Sequence, residues 1–311
     1  MMKKAGKYML STLSSQPRSQ HFPAFCCMTA ALLWGVFWYP LRLLEEMGVP
    51  GLWSTLIIFC SAMLILIPGC INARADFSKH RLEYLLLGLF AGWTNLAFIL
   101  AMLEGEVVRV LLLFYLSPIW AILLAVFILH ERLTKTGLIA LILAMTGAVL
   151  MLWDTDLFLG SELSRADLFA ITSGMAFAIN NIIVRKIGEA PVALKIGVSW
   201  IGVIILTILG IIFTKSAPPP EISHNSGLLA FLIGFPTMFV LTWTAQYGVT
   251  YLPIQRSSVI FLLEIIAGAV SAAWLTNETV GDFEYIGGFL IVSAGLISVF
   301  KRKKHDLAYK I

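Results

Sequence analysis

Charge is what this sequence has least of. Only 13% of its 311 residues are Asp, Glu, Lys or Arg, while 59% are hydrophobic; a soluble globular domain has about 25% and about 45–50%. No polar stretch is long enough to fold alone, the longest being the first 22 residues and the loop near residues 214–227. Cysteine is scarce too. Cys26, Cys27, Cys60 and Cys70 fall in or at the ends of apolar runs, without C-x-x-C spacing. That argues against a disulfide framework or a metal site and leaves small packing residues. Catalytic motifs are missing. His130-Glu131 is followed by Thr134 where a zinc-protease helix needs a second histidine, no G-x-S-x-G elbow occurs, and the apolar runs hold no pair of aspartates. No glycine-rich phosphate loop is present either. The chain therefore reads as a non-enzyme with no cofactor and no metal.

What is there is apolar length. Runs of about 20 residues recur, each enough to cross about 30 Å of hydrocarbon. A window reading gives ten spans, near 23–44, 51–71, 82–103, 108–129, 135–153, 166–187, 192–213, 227–248, 253–275 and 283–300. Pro40, Pro118 and Pro236 lie inside spans and predict kinks or breaks. The first run is long enough to span and ends in no cleavage site, so it reads as a retained helix. With the N-terminus in the cytoplasm, 18 of the 22 basic residues fall on the inner side, leaving only Arg42, Arg109, Arg165 and Lys215 outside. That asymmetry places both termini in the cytoplasm. The net charge of +4 then reflects topology, and no nucleic-acid partner is expected.

The chain repeats itself. VVRVLLLFYLSPIWAILLAVFILHERLT (107–134) aligns with IQRSSVIFLLEIIAGAVSAAWLTNETVG (254–281) at an offset of 147, which superposes Arg109 on Arg256, Glu131 on Glu278 and Ser117 on Glu264. More weakly, ALLWGVFWYPLR (31–42) aligns with GMAFAINNIIVR (174–185). Five spans is an odd number, so the second half enters the membrane upside down. The expected fold is an all-α polytopic membrane protein with ten transmembrane helices as two inverted five-helix repeats. The parts are a cytoplasmic N-terminal arm (1–22), the first repeat (23–152), the second (166–300) and a basic cytoplasmic tail (301–311). Inverted repeats are a carrier signature, with the site near the midplane and rocking of the halves giving alternating access.

These stretches, LSPIWAILLAVFILHERLT in the first half and LLEIIAGAVSAAWLTNETV in the second, resemble EamA-type transporters of the drug/metabolite superfamily, and the likeness covers nearly all of residues 23–300. It departs at Glu264-Ile265, where the family usually shows Glu-Pro; without the proline, Gly268 is the residue that could loosen that helix. The resemblance implies a carrier of amino acids, nucleotide-like metabolites or cationic toxins, and does not choose among them.

Glu264 is the candidate centre. It lies 11 residues from Pro253 and 10 from Trp274, hence at mid-membrane. A lipid-facing carboxylate there costs at least about 2.5–3.5 kcal/mol, so it must face protein or a cavity. Ser257, Phe261, Ala267, Gly268 and Ser271 share its helical face. It is either a protonated interhelical link or a cavity group that binds a substrate ammonium or carries a proton. All five histidines sit near span ends or in loops, leaving Glu264 as the membrane-centre residue able to titrate near neutral pH. Asn95, Asn180, Trp34, Trp38, Tyr115, Thr242 and Gln246 lie at comparable depth; each could touch substrate or simply bridge helices. Arg109 and Arg256 begin their helices, where the macrodipole disfavours a cation; they either snorkel or act in gating. Glu131 and Glu278, each just before the next span, are expected to cap that span's free N–H groups.

The sequence thus reads as a secondary carrier in a bacterial-type inner membrane, exporting or exchanging small polar metabolites, with proton coupling open. Amino acids or other amines lead, since Glu264 can meet an ammonium while aromatic residues cover an apolar body. A cationic nucleoside such as S-adenosylmethionine is the alternative, and a channel is less favoured because it would need rings of charge or carbonyl filters. The cargo, the direction and the oligomeric state are not legible.

Overall fold

The computed structural model describes residues 21–152, 163–219, 222–276 and 281–300, and every regular element among them is helical. Helix is what hydrocarbon dictates, since each backbone N–H and C=O must find its partner inside the segment. The N-terminal arm up to residue 20, the basic tail and Glu278 lie outside the described residues.

α1 (Phe22–Val36) and α2 (Trp38–Glu46) form one interrupted rod. α3 (Gly51–Phe77) passes through a 3-10 turn at Ser78–His80 into α4 (Arg81–Glu104). α5 (Val107–Phe114) and α6 (Ser117–Ile128) make a second interrupted rod, followed by α7 (Lys135–Met151). α8 (Arg165–Ile187) and α9 (Val192–Thr214) are continuous. α10 (His224–Leu232), a π-helical segment (Ile233–Met238) and α11 (Phe239–Tyr251) form a third broken rod. α12 (Ile254–Phe261) and α13 (Leu263–Thr276) form a fourth, before α14 (Asp282–Phe300).

Three breaks follow one rule. Val36, Phe114 and Leu232 are the last regular residues, and each stands four before a proline: Pro40, Pro118 and Pro236. A proline has no N–H for that carbonyl, and its ring collides with it. The fourth break obeys no such rule. α12 stops at Phe261, four residues before Ile265. There Leu262 N–H donates to Val259 O and Ile265 N–H to Leu262 O, both at 3.2 Å, so two tight i→i+3 turns replace helical bonds. Gly268, the residue expected to loosen this helix, lies inside unbroken α13.

By length and composition, eight helical stretches among the described residues qualify as membrane spans, where ten were expected. The spans expected at 51–71 and 82–103 join in one 54-residue helical run, and Lys135–Met151 is apolar but shorter than the rest. Large apolar side chains such as Phe127, Phe213, Trp274 and Phe289 stand out on the surface, where hydrocarbon rather than water would solvate them.

Small residues set the closest crossings. α7 packs on α14, and α4 packs on both α8 and α9. Gly147 and Gly287 face each other so closely that a Cβ on either would lie 2.5 Å from the other's carbonyl oxygen. Gly202 meets the Gly88 backbone more tightly still. Replacing glycine by leucine at an open helical site gains about 0.5–1 kcal/mol of propensity, whereas overpacking costs about 1–3 kcal/mol. The sign is therefore diagnostic. Gly147→Leu and Gly287→Leu should each lower the melting temperature in detergent, and a rise would mean that α7 and α14 do not meet there.

Candidate substrate site at two helix breaks

The α5/α6 and α12/α13 breaks meet. A cavity of about 20 Å³ lies between them, lined by Tyr115, Ser117, Phe114, Phe177, Ser258, Phe261 and Glu264 among others. Such a volume holds about one water, so nothing larger fits in this conformation. Glu264 stands in the first turn of α13, where free N–H groups and the helix dipole favour a carboxylate. Tyr115, the C-cap residue of α5, is buried and lines the same cavity as that carboxylate. Ser117, aligned with Glu264 by the internal repeat, lines the same cavity. Chemically the site offers one acid, a phenol, two hydroxyls and three phenyl rings, which suits a small cation or amine with an apolar part. Pro118 lies in the first turn of α6 and also lines it.

Glycines on the other helices let the breaks sit this close. Gly35 of α1 lies against the Glu264 carbonyl, and Gly174 of α8 lies under the Phe114 backbone, where a Cβ would come within 2.6 Å of the carbonyl oxygen.

Other candidates are engaged elsewhere. Trp38 Nε1 donates to Ser271 Oγ at 2.9 Å, and Ser271 donates to Gly268 O at 2.9 Å, so this pair ties α2 to α13. Trp34 packs edge-on against Phe37 at 5.1 Å. Asn95 donates to Ala91 O within its own helix at 3.1 Å. Thr242 accepts from Trp200 Nε1 at 3.3 Å, and Gln246 Nε2 donates to Ser199 Oγ at 3.2 Å. Asn180 Oδ1 and Gln246 Oε1 are buried with no hydrogen-bond partner among the described residues.

The helix-end charges differ from expectation. Arg109 does not snorkel: its Nε and Nη2 each donate at 2.7 Å to the two oxygens of Asp167, which is 1% exposed. Asp167 in turn completes a capping box with Ser164 at the start of α8. Arg256 donates to the carbonyls of Ser298 and Val299 at 2.6 and 3.0 Å, the end of α14; a cation at a helix C-terminus is well placed. Glu131 does not cap α7, whose N-cap is Thr134. It accepts instead from Ile254 N, the first residue of α12, at 2.9 Å, and from Arg185 Nε at 3.2 Å. Arg185 also donates to Thr250 O at 2.6 Å.

A family model, described as the EamA-like transporter family, matches this chain twice, over residues 21–153 and 164–300. The chain belongs to the EamA-like transporter family. It is a multi-pass membrane protein and a transporter of small molecules. Two relatives are themselves named uncharacterized transporters. One, from Archaeoglobus fulgidus, is 25% identical over 82% of this chain and 88% of its own length. The other, YyaM of Bacillus subtilis, is 22% identical over 70% and 73%. A solved crystal structure superposes with a TM-score of 0.73 at 16% identity, covering 90% of this chain and 98% of that one; this is a likeness of fold alone.

Within this EamA-like chain, sequence reasoning passed over several residues. Ser164-x-x-Asp167 is a capping-box pattern and could have flagged Asp167. The offset of 147 also superposes Phe114 on Phe261, which marks both. Lys195, one of the basic residues on the inner side, is fully buried, and its Nζ donates to Gly188 O at 2.9 Å and Thr250 Oγ1 at 2.6 Å.

The Arg109–Asp167 pair generates a prediction. Removing one member of a buried pair strands the other, at a cost of about 3–5 kcal/mol. Arg109→Met and Asp167→Leu should each markedly lower the melting temperature, and the double variant should recover much of the loss. Equal and additive losses would show that the two side chains are not coupled.

Proposed function

We propose that this chain is a ten-span secondary carrier of small polar metabolites, amino acids or other amines foremost, working by alternating access between two inverted halves, 23–152 and 166–300. The observation that carries the reading is Glu264, a mid-membrane carboxylate that shares with Tyr115 a small cavity where two broken helices meet. The repeat supports it: adding 147 to the bounds of α5 (Val107–Phe114) gives those of α12 (Ile254–Phe261). A ten-span count is supported by the long α3–α4 run, which leaves helical geometry at His80 (φ −130°, ψ 40°) and packs on α9 with both parts. The basic residues favour an inner-membrane orientation with both termini cytoplasmic.

In this reading the ammonium of the cargo takes the Glu264 carboxylate, and the Ser117 and Ser258 hydroxyls contact its polar part. The rings of Phe114, Phe177 and Phe261 cover the apolar part. When no amine is bound, a proton can occupy the carboxylate, which supplies a route to exchange. A cavity of this size fits an occluded conformation rather than an open channel.

The test is a metabolite panel read by thermal shift, because a ligand of the native state stabilises it by RT ln(1 + [L]/Kd). It is followed by uptake in vesicles with Glu264→Gln. An amine cargo should lose about tenfold or more in affinity, the difference between a charge-assisted and a neutral hydrogen bond. Ser117→Ala should be mild. Normal transport by Glu264→Gln across pH 5–8 would make the carboxylate structural. For orientation, single cysteines at Glu106 and Lys79 in a cysteine-free background should react with an impermeant thiol reagent in intact cells at Glu106 alone. Reaction at Lys79 alone would invert the topology.

A further inference from the structure

We infer that Phe114 and Phe261 are the two gates of the cavity, closing it from opposite faces of the membrane against the shared ring of Phe177. Three observations carry this, and the consequence for transport rests on the carrier reading above.

The rings touch in series. Phe114 and Phe177 have centroids 5.7 Å apart, Phe177 and Phe261 6.1 Å, and all three line the Glu264 cavity.

The two gate residues stand in equivalent places. Each is the last helical residue before a break, and the offset of 147 that relates the two helices relates the two phenylalanines. A half-helix that swings about its charge-held outer end therefore carries its own ring with it.

Their helices arrive from opposite ends of α8. The α5 end is held at the start of α8 by Arg109 on Asp167. The α12 end is held at the far end of α8, because Glu131 binds both Ile254 N and Arg185. Asp167 and Arg185 are about 27 Å apart by helix rise, with Phe177 near the middle. Phe114 rests on Gly174, one turn before Phe177 on α8. From the α8 N-terminal side the path to the cavity meets Phe114; from the C-terminal side it meets Phe261.

The test uses the full-length protein without its four native cysteines and with Ser117→Cys as a reporter inside the cavity. A charged, membrane-impermeant methanethiosulfonate is applied to right-side-out and to inverted vesicles. With both gates intact, labelling is slow from either face. Phe114→Ala should raise the rate about tenfold from the face at the α8 N-terminus alone, as a minor open state becomes populated. Phe261→Ala should do so from the other face alone, and Phe177→Ala from both. Should an alanine variant fail to reach the membrane, Phe114→Leu and Phe261→Leu carry the test, with smaller shifts in the same sense. Acceleration from one and the same face by both variants, from both faces by either, or from neither, overturns the inference. A wrong orientation would instead exchange the two faces together. A wrong role for Glu264 would leave the labelling pattern intact while its Gln variant transports normally.

Discussion

A carboxylate in hydrocarbon needs polar neighbours that hydrocarbon does not have, and two helix breaks set what surrounds this one. Because α12 stops at Phe261, Glu264 falls in the first turn of a new helix, at the favourable end of its dipole. Because α5 stops at Phe114, the buried Tyr115 follows the end of that helix and lines the same cavity. The two breaks thus bring the acid and the phenol to one place. Pro118 enforces the first through local sterics. The second has no proline, and its geometry is matched by packing, with Gly35 of α1 against the Glu264 carbonyl.

Around this centre, α8 acts as a strut held at both ends by charge. At its N-terminus Asp167 takes Arg109 of α5, and at its C-terminus Arg185 takes Glu131 from the segment before α7. Both partners come from the first half of the chain, while α8 opens the second. The same C-terminal region gathers the end of α11 through Arg185 on Thr250 O and through Lys195 on Thr250 Oγ1. Four helices therefore converge where Glu131 sits, which explains why that carboxylate caps α12 across the molecule and not the helix beside it in sequence.

Much of this was legible because some rules act locally. Hydropathy showed the apolar runs, and Pro40, Pro118 and Pro236 pointed to three breaks, since each proline acts on the carbonyl four positions back. The cost of a charge in lipid pointed to Glu264 facing protein. What escaped was long-range. Arg109 and Asp167 are 58 residues apart, and nothing local to either names the other. Polarity at membrane depth also proved a weak guide to the cavity. Trp38, Ser271, Asn95, Thr242 and Gln246 are hydrogen-bonded to neighbouring helices or to their own, because a polar side chain in hydrocarbon bonds to whatever polar neighbour is in reach whether or not it meets cargo. The position of the break at Leu262 escaped too, because no proline marks it in the sequence.

The distribution of interaction types decides where such a molecule can move. Opening the cavity at the strut would break a buried bidentate pair, at about 3–5 kcal/mol when one partner is left unmatched. Opening it at the phenyl rings gives up aromatic contacts of about 0.5–1.5 kcal/mol each and strands no donor or acceptor. The breaks add to this difference, because Leu116 and Leu262 already lack regular helical bonds, so bending there costs little further backbone hydrogen bonding. In the proposed carrier, charge at the helix ends and bare rings at the breaks would together make the ends the pivots and the middle the moving part. For a site at mid-membrane, that arrangement would let each half-helix swing without exposing a charged group to lipid.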